Sequence, residues 1–146
     1  MRILLLLITL IAISLATLQF SGITDLDDPK LIREVQSQLL EEYREQSASS
    51  FSESLKNDSL GKIINQAANL ITTQVTLFST QQSQSLFSDM VRNPVTIVHA
   101  QYLVENSSEE PLEDQSYLKF SKQNFNNWTY VGKSNATEFY LNFLSF

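Results

Sequence analysis

The first twenty residues constrain this chain most. Residues 3–20 read ILLLLITLIAISLATLQF, an apolar run behind a single Arg2, and the chain then turns acidic at Asp25-Leu26-Asp27-Asp28. Such a run is either an address label or an anchor. Arg2 supplies a minimal positive n-region, residues 3–13 form an apolar stretch of signal length, and Ser14-Leu15-Ala16 places small residues where cleavage after Ala16 requires them. The apolar character continues through Leu18 and Phe20, which brings the run to about 18 residues, the lower limit for a spanning helix. Two readings therefore stand: residues 1–16 as a signal peptide, or residues 3–20 as a membrane anchor. In both, Arg2 stays on the cytoplasmic side and the remainder crosses.

Beyond the leader, the 146-residue chain is long enough for a single α+β domain, expected over 25–146. It has no cysteine, which removes disulfides, thiolate metal sites and cysteine nucleophiles. An exported chain that does without oxidation fits a bacterial envelope better than a small eukaryotic secreted domain. The net charge of -6 argues against nucleic acid, whose phosphates need a clustered basic patch, and against anionic lipid headgroups. Membrane contact is expected only through an uncleaved N-terminal segment.

The segment following the acids has a marked helix start. Asp28 caps, Pro29 suits the first turn, and Leu31, Ile32, Val35, Leu39, Leu40 and Tyr43 form a stripe at helical spacing. A fray or bend is expected at Ser47-Ala48-Ser49-Ser50. A second helix is expected to start at Asp58 or Ser59 and to run, through Leu60, Ile63, Ile64, Ala67, Ala68 and Ile71, to about Phe78. Thr72, Thr73, Val75 and Thr76 make a strand near Val75 the alternative. A further helical turn over 86–91 ends before Pro94. These segments make residues 28–92 the helical part.

From 95 to 146 the period changes to that of strands. VTIVHAQYLV is β-branched and aromatic, residues 105–114 form a polar acidic loop, and SYLKFSK, NWTYVG and TEFYLNFLSF read as further strands. Ten of the 15 aromatic residues lie beyond position 100, so a three- or four-stranded antiparallel sheet covered by two or three helices is the natural solution.

No motif fixes a reaction. His99, the single histidine, lies within a strand on the parity of Ile97, with no carboxylate or nucleophile beside it on that face. Asp25, Asp27 and Asp28 lack the glycine turn and distal Glu of a calcium loop, and the helix start accounts for them. Glu105, Glu109, Glu110, Glu113 and Asp114 read as a solvated hairpin connection. Four Asn-x-Ser/Thr sequons occur, at Asn57, Asn106, Asn127 and Asn135, in a chain whose composition supplies such triplets freely. Trp128, Tyr130, Phe139, Tyr140 and Phe143 read as core, with a ligand groove as the alternative. Gly22, Gly61 and Gly132 are not grouped, so no phosphate-cradling loop is expected and no cofactor or metal is implied.

Taken together, the exported N-terminus, the Asp28-Pro29 helix start, the middle helical pair, SDMVRNPVTIVHAQYLV and the tail YVGKSNATEFYLNF, with Gly132 ahead of Phe139-Tyr140, resemble a family of small exported proteins of unknown function, found mostly in cyanobacteria. That family opens its helix with Asn-Pro and often carries cysteines in its middle segment, where this chain has Asp28-Pro29 and none. The resemblance implies export and no particular reaction. The expectation is an exported envelope protein, in the periplasm or tethered to the inner membrane, that acts on an unidentified protein partner by contact. The alternatives are a small-ligand binder with a Tyr- and Phe-lined pocket between helices and sheet and, last, a hydrolase built from a serine, His99 and an acid.

Overall fold

The computed structural model describes residues 2–90, 92–106, 110–123 and 127–145; the side chains of residues 2, 18–21 and 57 lie outside that description. The chain is α+β: helix α1 (Arg2–Ser21), strand β1 (Ile23–Asp25), helices α2 (Pro29–Asn57) and α3 (Leu60–Thr72), strands β2 (Gln74–Gln84), β3 (Val95–Glu105), β4 (Leu112–Gln123) and β5 (Asn127–Lys133), and helix α4 (Ala136–Leu141). The strands form one five-stranded antiparallel sheet in chain order, β1-β2-β3-β4-β5. All described side chains of α1, residues 3–17, are exposed. Among the described residues no helix is long and apolar enough to cross a membrane.

Helix α2 begins as its sequence dictates. Asp28 has extended dihedrals and its carboxylate accepts from the Lys30 amide at 2.9 Å, while Pro29 occupies the first turn, where its missing N–H costs nothing. The helix runs unbroken through Ser47–Ser50, where the sequence suggests a fray or bend. Ser50 Oγ donates to the Gln46 carbonyl at 3.1 Å and Ser54 Oγ to the Ser50 carbonyl at 3.0 Å, so these hydroxyls bond back along their own helix instead of drawing its backbone out of it.

Helix α3 starts after Ser59, whose carbonyl accepts from the Lys62 and Ile63 amides. It stops at Thr72, six residues short of the expected Phe78, and the strand alternative at Val75 prevails. The β-branched run Thr72, Thr73, Val75 and Thr76 favours extension locally, and the far end of β2 gains a partner in β1, with Ile23 opposite Ser83, Thr24 opposite Gln82 and Asp25 opposite Gln81. That pairing spans some 58 residues of sequence and also carries the Ser/Gln tract, which has no strand pattern of its own. The expected helical turn over 86–91 shrinks to a 3-10 turn at Ser88–Met90; Val91 lies outside the described residues.

The acidic loop is shorter than expected, because Glu113 and Asp114 already belong to β4. Glu109, and the Ser107 and Ser108 of the Asn106 sequon, lie outside the described residues. TEFYLNFLSF is not a strand. Asn135 Oδ1 accepts from the Glu138 amide at 2.9 Å, which caps α4, and a 3-10 turn at Asn142–Leu144 follows. The expected helical part 28–92 thus contains a strand, the β part 95–146 contains a helix, and the sheet has five strands rather than three or four.

By internal contacts the chain groups into two units. The first comprises Met1–Asp27, Gln81–His99 and Ser116–Phe146; the second comprises Asp28–Thr80 and Ala100–Gln115. In the first unit Leu26, Ile97, Val98, Leu118, Phe120, Phe139 and Phe143 are buried. In the second, Leu31, Val35 and Leu39 of α2 are buried, as are Val75, Ala100, Tyr102 and Val104. The Gln36 amide fixes α2 to β2 by donating to the Val75 carbonyl at 2.7 Å.

Candidate functional site

The second unit holds a cavity of about 370 Å³, within the range of roughly 300–1,000 Å³ usual for small-molecule sites. Helical spacing builds two of its walls. Tyr43, Gln46 and Ser50 stand three and four residues apart on α2, and Gln66 and Asn69 stand three apart on α3, with Thr73 one turn further on. Glu110 lines it from the β3–β4 connection. The Tyr43 hydroxyl donates to Asp114 Oδ2 at 2.6 Å, and the Tyr102 hydroxyl donates to the same oxygen at 3.3 Å. The two rings meet edge to face, centroids 6.1 Å apart. Burial, then the hydrogen bonds to Asp114 and Tyr102, push the Tyr43 phenol well above its usual range. Ser50 and Thr73 both give their hydroxyl protons to helix carbonyls, at Gln46 and Asn69. Gln66 Oε1 is buried and, among the described residues, has no hydrogen-bond partner.

Helix α3 turns part of its apolar face outward. Leu60, Ile64, Ala67 and Ile71 follow one another at spacings of four, three and four, one apolar stripe down the helix. Three of its members face water: Leu60 is 78%, Ile64 63% and Ile71 80% exposed, while Ala67 is half-buried together with Ile63, Ala68 and Leu70, and no described residue of α3 is fully buried. The polar Gln66 and Asn69 line the cavity instead. Phe78, past the helix on β2, is also exposed.

The first unit holds a second cavity of about 350 Å³, lined by apolar groups such as Pro94, Val95 and Ile97 together with Lys119 and Glu138. Lys119 Nζ lies 2.8 Å from Glu138 Oε2, to which Ser134 also donates at 2.7 Å. These hydrogen bonds, led by that of Lys119, hold the Glu138 carboxyl below its ordinary range. The buried Asn142 amide donates to the Ser83 carbonyl at 2.6 Å, a side-chain clamp on the end of β2.

The residues singled out in the sequence are dispersed. His99 stacks on Tyr117, centroids 4.5 Å apart, with Phe139 edge-on at 5.9 Å. Phe139 and Phe143 are core, Tyr140 is exposed, Tyr130 packs on Phe120, and Lys122 Nζ lies 5.5 Å above the Trp128 ring; none of these five aromatics lines the cavity of their own unit. Asp25 is on β1, Asp27 is exposed and Asp28 caps α2. Glu105, Glu110, Glu113 and Asp114 are exposed. Among the described residues no group of three or more His, Asp or Glu is placed to hold a metal ion. Asn57 ends α2, Asn106 follows β3, Asn127 opens β5 and Asn135 is the α4 cap.

Gln46, Ser50, Gln66, Asn69 and Thr73 carry no motif. A helical wheel of α3 separates Gln66 and Asn69 from the apolar stripe, but which face turns inward is set by tertiary packing. No family model, no curated protein and no solved structure matches this chain.

Proposed function

We propose that the protein is an exported envelope protein that acts by binding another protein rather than by catalysis. The observation that carries the reading is the outward apolar face of α3. Three large aliphatic side chains on one helix face, each more than half exposed, with Phe78 exposed on the strand that follows, form a surface that gains free energy when covered. Leu60, Ile64 and Ile71, four and seven residues apart, share one helix face, the placement by which a helix engages a groove or a second helix. Export rests on the leader, and the exposure of its described side chains agrees with a segment used outside the folded body. The resemblance to the cyanobacterial family points the same way. A tethered form keeps the leader as an inner-membrane anchor, and a released form loses it after Ala16.

The test is photo-crosslinking in the cells that make the protein, with a photoreactive side chain at position 64. A discrete protein adduct is expected, and Ile71→Glu should abolish it. Because Ile71 is exposed, that substitution should leave the unfolding midpoint within the small range typical of surface changes. Adducts to lipid alone, or none, would rule the reading out.

A further inference from the structure

We infer that the cavity between α2 and α3 is a binding site for a neutral, hydroxyl-rich small molecule, a saccharide of one or two rings. The argument is one of hydrogen-bond inventory within the second unit. Its polar lining consists of amides, at Gln46, Gln66, Asn69 and Asn106, which both donate and accept, and of hydroxyls, three of which act as acceptors. Ser50 and Thr73 have spent their protons on the Gln46 and Asn69 carbonyls, and Tyr43 has spent its own on Asp114, so each presents lone pairs only. Gln66 lines the same space with a buried carbonyl oxygen that, among the described residues, has no partner. A buried acceptor left unpaired costs about 1–3 kcal/mol, and that cost is recovered when a donor arrives.

The complement of a wall of amides and hydroxyls is a ligand whose groups both donate and accept, with a donor to meet the Gln66 oxygen. A cation is disfavoured, because a buried charge needs an opposite charge beside it; among the described residues the one carboxylate in the lining, Glu110, is exposed. An anion is disfavoured because, among the described residues, no Lys or Arg lines the space. A largely apolar ligand would leave the acceptors unmet. Sugar hydroxyls each donate once, and the Tyr43 ring supplies a flat surface of the kind pyranose C–H faces rest on. The site is separate from the contact role, since Gln66 and Asn69 face the cavity while Leu60, Ile64 and Ile71 face water.

The test uses the full chain in a zwitterionic detergent, with glucose, maltose, N-acetylglucosamine and chitobiose as probes and saturation-transfer NMR as readout. Transfer from at least one probe is expected. Gln66→Leu should weaken it by about tenfold, the loss of one well-placed hydrogen bond to a buried group. The same variant should unfold at an equal or higher temperature, because it removes an unpaired buried oxygen, so lost binding would not reflect lost folding. Ile64→Glu should leave binding intact. Absence of transfer from all four probes at millimolar concentration, binding indifferent to Gln66→Leu, or binding of spermidine in place of the sugars would each overturn the assignment.

Discussion

Tyr43 shows how one side chain reports on its surroundings. Its phenol is held above its usual range by burial and by Asp114 and Tyr102, so the folded chain keeps the proton that the unfolded chain gives up. A group whose folded value is raised contributes stability that is complete below its unfolded value, ordinarily about 10, and that erodes as pH climbs beyond it. Tyr43→Phe should therefore cost about 1 kcal/mol at neutral pH, the worth of one hydrogen bond, and should flatten the alkaline loss of stability. Chemical denaturation repeated across the alkaline range measures both. Glu138 has the opposite sign. Its carboxyl is held low by Lys119 and Ser134, so its contribution is complete above the ordinary carboxylate range and disappears as pH falls through the lowered value. Glu138→Gln should shift the urea midpoint downward at neutral pH and match the parent in strong acid; a difference that persists in acid would contradict this origin.

At the scale of elements, the pairing of β4 with β5 carries an irregularity. Lys119 pairs with Gly132 but Phe120 pairs with Tyr130, so Val131 is an extra residue in β5. Gly132 next to this bulge has φ +152°, where side chains are strained, although a Cβ there would meet no atom within 4 Å. Gly132→Ala should destabilise by about 1–2 kcal/mol through backbone strain alone, read from the unfolding midpoint. The elements that were legible in the sequence are those whose signals are local. Asp28-Pro29 announced α2, and the β-branched and aromatic run from Val95 to Val104 announced β3. The elements that were missed depended on remote partners or on an unread cap. β2 owes its end to Gly22 and Ile23, since the Gln84 amide bonds to the Gly22 carbonyl. α4 follows from Asn135 and Glu138, a capping pair present in the sequence but masked by the aromatic run behind it. The cavity was illegible for a further reason: its residues are common polar types whose meaning lies in what they have already bonded.

At the scale of the whole molecule, the proposed export rests on the apolar run 3–20. The mature mass tests the proposal and decides between the two fates it allows. A product beginning at Thr17 marks a released periplasmic protein, and a full-length product in the membrane fraction marks a tethered one; recovery of the full-length chain in the soluble cytosol would remove the basis for export. Its apolar character was plain in the sequence, whereas the orientation of α3 was not, because amphipathicity fixes two faces without saying which turns inward. That arrangement has a thermodynamic consequence. A 13-residue helix with Gln66 and Asn69 toward a cavity and Leu60, Ile64 and Ile71 toward water is one wall shared by the two proposed roles. Any occupant that stiffens it from within reduces the ordering entropy left for an associate outside, and by reciprocity the associate tightens the occupant by the same factor.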